Sequence, residues 1–394
     1  MPRDARIAPN CYDAEPIPEA ARVEIERLLS TGDLFRYTSE DAPVARLEAE
    51  FAAHMGVSYA IAVSSCSQAL FLAMKALDLP AGARVLVPAF TFAAVPSAIV
   101  HAGCVPVLVE VDDSLRIDPL DFRAKLEGAD AVLISHMRGH TSDMDMIMDE
   151  AGARGLPVIE DAAHSLGTTW HGRKIGTIGR IGCFSFQSYK LLNAGEGGVM
   201  ITDDPELAAR AIIMSGAYEH NWKKHPGLTA RCEAWQNRLP LYNCRMQNLS
   251  AAILLPQLGE ISRRAADGLR NHDHVAERLG ESRWLSVPPA LPPETRAPDS
   301  LQFLLSGDWS DEEARAFQAE AKAQGVSVSV FGLSTDNARA FWNWQFLTDL
   351  PDLPKTRAML MRACDIRLPA RLTQPDLEFI ADALLEAVAQ VKPA

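Results

Sequence analysis

The sequence predicts an α/β protein in which a mainly parallel sheet is sandwiched by helices and a smaller α+β domain follows. Three observations carry that expectation. From about residue 57 to 204, short β-rich runs alternate with helical patterns, the arrangement that yields parallel strands joined by helical crossovers. The chain has 394 residues, more than one hydrophobic core usually serves. After Pro256 the pattern changes to a long amphipathic stretch, QLGEISRRAADGLRNHDHVAERLGE, and then a Pro-rich segment, SVPPALPPETRAPDS. The expected organisation is an N-terminal arm over residues 1–20, a large domain over 21–256 and a small one over 257–394.

Taken in order, the expected strands are YAIAVSS, RVLVPAF, VPVLVEV, DAVLISHM, LPVIEDAA, IGCFSFQ and GGVMITDD. Their near-continuous apolar character suits strands buried on both faces. Directly after the first, SQALFLAMKALDLPAG places Ala69, Leu70, Ala73, Met74 and Leu77 on one helical face and stops at Pro80 and Gly82. The C-terminal part holds LQFLLSG, helix-like DEEARAFQAEAKAQG, strand-like VSVSVFG, and a closing helix from Leu377 to Val391 with Thr373 as N-cap.

The formal net charge is −13, and no Lys/Arg cluster offsets it, which excludes a polyanion such as DNA as the expected partner. The first twenty residues lack the basic-then-apolar plan of a secretion signal, and no apolar run reaches the length of a membrane span. A cytoplasmic protein is expected. Seven cysteines without a CxxC pair or Cys/His spacing fit reduced thiols, and no bound metal is expected.

Four features carry chemistry. Ser64, Ser65, Cys66 and Ser67 stand at a strand-to-helix junction, where free backbone N–H groups and hydroxyls suit a phosphate; the serines would equally serve as helix caps. Glu160 and Asp161 end an apolar strand, where a carboxylate is costly unless it meets a cation. A pyridinium nitrogen would be such a cation, although Asp161 could instead cap a following helix. Phe90 and Phe92 follow the strand RVLV; either ring could stack on a flat cofactor or simply fill the core. Lys190, flanked by FSFQSY and the glycine-rich turn of NAGEGG, could be partly desolvated and so nucleophilic; an isolated lysine is more often solvated surface. Ser185, on the strand before it, could reach the phosphate. Together these are the groups that a pyridoxal 5'-phosphate site needs, each at a strand end.

The motifs SCSQAL, VPAFTFAA, VIEDAAHSLG, FSFQSYKLLNAGEGG and LYNCRMQNLSAAILLPQL stand in the order and spacing of one family. In them the chain resembles, over nearly its whole length, the fold-type-I pyridoxal-phosphate-dependent aminotransferases named for DegT and StrS, which mostly aminate keto-sugars and ketocyclitols. The resemblance implies that Lys190 carries the cofactor as a Schiff base, Asp161 pairs with its pyridine nitrogen, Phe92 stacks, and His164 lies near its 3-hydroxyl. Ser65, Cys66, Ser67 and Ser185 would hold the phosphate. Asn243 would reach the phosphate of the neighbouring subunit in a homodimer with shared sites, and Arg245 would help there or bind substrate.

Some positions depart from the family pattern. Cys66 replaces a common Gly, His164 a frequent Gln, and VSVSVFGLST lacks the Gly-Ile segment leading into His and Pro of nucleotide-sugar enzymes. SHMRGHTSDMD adds Arg138 and His140 near the cofactor edge; Arg138 is a candidate carboxylate clamp or a surface ion-pair residue. Trp342 and Trp344 read as packing residues that could also line a polyol pocket. The implied activity is ping-pong transamination from glutamate or glutamine to a keto-sugar, ketocyclitol or related carbonyl, through pyridoxamine phosphate. A lyase or dehydratase on the same scaffold and a non-catalytic cofactor-binding sensor are the rival readings.

Overall fold

The computed structural model describes residues 8–393. All seven β-rich runs enter one sheet: β1 (Tyr59–Val63), β2 (Arg84–Pro88), β3 (Val105–Val109), β4 (Ala131–Ser135), β5 (Val158–Asp161), β6 (Ile181–Ser185) and β7 (Gly198–Thr202). The order across the sheet is β1-β7-β6-β5-β4-β2-β3. Strands β3, β2, β4, β5 and β6 pair in parallel, whereas β7 runs antiparallel to both neighbours. A parallel return needs a crossover, usually a helix. The link over residues 186–197 contains only turns and bends, so the chain doubles back, and Lys190 sits in that link.

Successive side chains of a strand point to opposite faces, and here both faces are covered. Ile61, Val85, Leu133, Ile159 and Met200 pack in one cluster with the helices Cys66–Leu77 and Pro205–Gly216. Their neighbours Ala60, Leu86, Val132, Val158 and Ile201 pack in the other with Phe51 and Ile147. The helix Cys66–Leu77 springs directly from β1 through Ser65, whose side chain accepts from the Gln68 N–H, and ends at Asp78 in a left-handed conformation. Ala69, Leu70, Ala73 and Met74 are buried along it.

A second, antiparallel sheet is formed by β8 (Leu285–Ser286), β9 (Ser300–Leu305), β10 (Ser329–Val330) and β11 (Ala363–Arg367) in the order β8-β9-β11-β10. Phe303, Ile366, Phe317 and Leu384 join it to the helices Asp311–Ala323 and Gln374–Val391 in a separate core. The closing helix starts at Gln374, about a turn before the expected Leu377, because Thr373 and Asp376 form a reciprocal capping box.

Two connections tie the sheets together. The helix Ile261–Leu279 carries buried Arg264, which donates to the Leu191 carbonyl at 2.8 Å and to Pro16 at 3.2 Å. The segment after β10 turns back onto the first sheet's core: Phe331, Phe341, Trp344 and Leu360 pack there, with Phe331 5.0 Å from Phe90. Trp344 is buried and donates to the Ala338 carbonyl, while Trp342 lies against Arg357. Both tryptophans therefore act in packing. The cysteines are free thiols. Among the described residues no His/Cys/Asp/Glu group suits a metal and no helix is long and apolar enough to cross a membrane.

Candidate active site

A cavity of about 490 Å³ opens where β1, β5 and β6 end, the edge at which open α/β sheets bind ligands. Ser65, Cys66, Ser67 and Ser185 line one part of it. The Cys66 and Ser67 amides lie in the first helical turn, where N–H groups have no intrahelical acceptor. Gly198 allows this turn to sit against β7, since a Cβ there would fall 2.4 Å from the Ser65 carbonyl carbon and 2.5 Å from the Cys66 nitrogen.

The two carboxylates of β5 part company by strand alternation. Asp161 shares the face of Ile159 and lines the cavity. Its Oδ2 accepts from Ser135 Oγ at 2.7 Å, Ser135 accepts from Thr91 at 2.8 Å, and Oδ1 accepts from the Ala163 N–H at 3.2 Å. Buried Glu160 points the other way, accepting from the N–H groups of Gly176, Ile178 and Gly179 and contacting His136 at 3.1 Å. Gly182 makes room for that loop, because a Cβ would lie 2.1 Å from the Gly176 carbonyl oxygen. No helix follows Asp161 for it to cap. Among the described residues it has no direct ion pair, so this buried carboxylate is oriented by neutral donors and feels Lys190 only at longer range.

The phenylalanines, both beyond the end of β2, also take different places. Phe90 is buried in the core, whereas Phe92 is 44% exposed and lines the cavity.

Lys190 Nζ lies 2.6 Å from His164 Nε2, and His164 Nδ1 is 3.8 Å from Asp299. Burial lowers the Lys190 pKa from 10.5 to about 8, with Asp299 opposing the shift and Arg138 adding to it. Burial, followed by the Lys190 charge, drives His164 well below its ordinary range. Burial pushes Asp299 up, but His164, Arg138 and Arg367 more than offset it, holding its carboxyl well below the usual carboxylate range. A neutral imidazole is thus placed to accept from the lysine amine. The lysine loop is itself anchored: Gln257 donates to the Asn193 carbonyl at 2.7 Å, and Arg367 donates to Tyr189 at 3.1 Å.

Arg138 lines the cavity and is buried, bonded to Asp365 Oδ2 at 2.5 Å. It is held at φ +55°, a left-handed conformation costing roughly 1–2 kcal/mol for a residue with a Cβ. His140 is buried against Gln302 at 2.9 Å and does not line the cavity. Asn243 and Arg245 lie outside it as well. Arg245 donates to the Gly216 carbonyl at 2.8 Å and is flanked by the rings of Phe35 and Tyr218. Asn243 is held at φ +53° in a segment bonded to Met214 and Ser215.

Sequence reasoning missed Tyr12, Arg339 and Arg367, which also line the cavity, and Asp299 behind His164. None sits in a motif or at the end of a strand of the large sheet. Arg367 alone had a usable signal, a basic residue closing the short strand-like run ACDIR.

With this geometry established, comparison decides the family. The sequence pattern of the DegT/DnrJ/EryC1/StrS aminotransferase family matches residues 20–385. The chain belongs to that family. This aminotransferase is 34% identical over 283 residues to the spore coat polysaccharide biosynthesis protein SpsC of Bacillus subtilis strain 168, covering 70% of each chain. It is similar to the aminotransferase of Psychrobacter cryohalolentis, with a TM-score of 0.83 and 25% identity over 96% of this chain and 99% of that one. It is also similar to 3-amino-5-hydroxybenzoic acid synthase, with a TM-score of 0.85 and 25% identity over 98% and 100% of the two chains.

The family depends on pyridoxal phosphate, and so does this aminotransferase. The cavity fits that cofactor on its own terms. It presents free first-turn amides and hydroxyls for an anion, a buried carboxylate without a direct ion pair, an exposed aromatic face and a desolvated amine.

Proposed function

We propose that this aminotransferase moves an amino group from glutamate or glutamine to a keto-sugar, ketocyclitol or related carbonyl compound. The observation that carries the reading is the Lys190 amine, lowered to about 8 and 2.6 Å from His164, in a cavity that also exposes Asp161 and the serine cradle. When bound, pyridoxal phosphate supplies an electron sink for the bond broken at the donor's α-carbon.

The chain's own residues do the rest. Lys190 would hold the cofactor through its amine and would move the proton at the donor's α-carbon, taking it in one half-reaction and returning one in the other. His164, neutral, accepts a hydrogen bond from Nζ and holds it in the cavity. Asp161, aligned by Ser135 and Ala163, keeps a nitrogen proton in place; at an effective dielectric near 20, charges about 4 Å apart attract by roughly 4 kcal/mol. Ser65, Cys66, Ser67 and Ser185 would hold the phosphate while the substrates exchange, and Phe92 would offer its face to the ring. Residues 21–256 hold the cofactor and 257–394 close the cavity. Asn243, outside its own chain's cavity, completes the site of a second copy. The SpsC relationship and the sugar classes named for family members support a carbohydrate-like acceptor.

The test mixes protein carrying pyridoxal phosphate with glutamate or glutamine and follows visible absorbance. Donor alone should remove the lysine-linked band, and one acceptor class should restore it. A persistent lysine-linked band in Lys190→Ala would falsify the assignment of the amine.

A further inference from the structure

The cavity is more basic than cofactor binding requires. Arg138, Arg339 and Arg367 all line it, and each has a buried Nε without a hydrogen-bond partner. Arg138 is paired with Asp365, and Arg367 donates to the Tyr189 carbonyl. Arg339 differs. Its backbone is fixed by the Asn337 side chain at 2.9 Å, and its guanidinium lies 5.8 Å from the Phe92 ring centre and 5.9 Å from that of Phe331. Among the described residues that guanidinium has neither a hydrogen-bond acceptor nor a carboxylate partner. Burial, then Arg138, lowers its pKa to about 10.

The acidic groups acting on Arg339 are Asp365, the Tyr12 phenol and Asp299. Asp365 is bonded to Arg138 and Asp299 stands against His164, so neither carboxylate is paired with Arg339. A buried, unpaired charge is costly, and a planar guanidinium offers the paired N–H fork that a carboxylate fits. One guanidinium without a partner matches a single carboxylate.

From this arrangement, and resting on the transamination reading, we infer that Arg339 reads a carboxylate carried by both substrates in turn. One is the α-carboxylate of the amino donor; the other is an acid group at the corresponding place on the keto acceptor. Both half-reactions use one cavity and one reacting position. A neutral acceptor would leave Arg339 buried and unpaired in the second half-reaction, and a site built to bind a polar group discriminates against a substrate lacking it. The acceptor class is therefore an acidic carbonyl compound, a keto-sugar acid or comparable keto acid, and Arg339 determines that specificity.

The experiment compares the cofactor-loaded wild type with Arg339→Gln and Arg339→Lys. Glutarate is the inert probe for calorimetry, and glutamate the donor. A keto-hexose and the corresponding hexuronic acid whose keto group adjoins the carboxylate are the acceptors. Loss of one partner of a buried charged contact predicts that Arg339→Gln weakens glutarate binding at least about 30-fold, with Arg339→Lys intermediate. The KM for glutamate and for the hexuronic acid should rise by a similar factor in Arg339→Gln, while kcat changes less than about threefold. Wild type should prefer the acid over the neutral sugar at least about tenfold in kcat/KM, and Arg339→Gln should lose that preference. Without ligand, the melting temperature of Arg339→Gln should stay level or rise, because a charge without a partner has been removed. Equal use of the two sugars by wild type overturns the inference. So does an effect confined to glutamate, or unchanged glutarate affinity accompanied by a lower melting temperature. If glutamate and glutamine leave the wild-type absorbance untouched, it is the transamination reading that fails.

Discussion

Lys190 should weaken the cofactor-free protein at neutral pH, and replacing it with an apolar side chain of similar length should strengthen it. Burial lowers its pKa from 10.5 to about 8. A lysine with a depressed pKa binds its proton less tightly in the folded than in the unfolded chain, so folding carries a penalty fully present below pH 8. The penalty fades as pH rises towards 10.5, because the unfolded chain then loses its proton too. A gap of about 2.5 units corresponds to roughly 3 kcal/mol at pH 7 and roughly 1.5 kcal/mol at pH 9.5. Lys190→Met removes the titrating group while keeping much of its volume. Urea denaturation of the cofactor-free wild type and variant at pH 7 and 9.5 measures the difference. The variant should be more stable at pH 7, with its advantage falling by about half at pH 9.5. An advantage that is constant or grows with pH would refute the depressed pKa. The same depression raises the neutral fraction of the amine at pH 7 by roughly 300-fold over an ordinary lysine, which connects the stability measurement to nucleophilicity.

Three further outcomes follow from the geometry. Glu160→Gln places an amide where three backbone N–H groups converge, so the variant should lose roughly 2–4 kcal/mol in urea denaturation; unchanged stability would show that the carboxylate is not needed there. Gly198→Ala drives a Cβ into the Ser65–Cys66 turn and should weaken pyridoxal phosphate binding at least about tenfold, in line with an overpacking cost of about 1–3 kcal/mol, as read by titrating cofactor-free protein; wild-type affinity would refute the close approach. Mixing Lys190→Ala with Asn243→Ala subunits at limiting cofactor should restore up to about a quarter of wild-type activity if sites are shared across a symmetric dimer, and no recovery would rule out sharing.

The sequence by itself determined the seven strands, the serine turn, the acidic strand end and the lysine loop. These are local signals: apolar runs bounded by turns, a cap at a strand-to-helix junction, and glycines where backbones meet. It also placed Phe90 beside Phe92 and Glu160 beside Asp161 without separating their roles. Tertiary structure separated them: alternation along β5 sends the two carboxylates to opposite faces, while the two rings, both beyond the end of β2, part because Phe90 packs on Phe331 and Phe92 faces the cavity. Asp161 lies beside Ser135 in the adjacent strand, while Glu160 lies beside Gly182 and binds the loop that Gly182 admits. Of the cavity's arginines, Arg138 was legible in the sequence, whereas Arg339 was visible only in the fold. Arg339 and Arg367 reach Lys190's cavity because the chain after β10 turns back onto the first core and β11 ends at its mouth. That convergence depends on packing between residues more than a hundred positions apart, which no periodicity within a short window can encode.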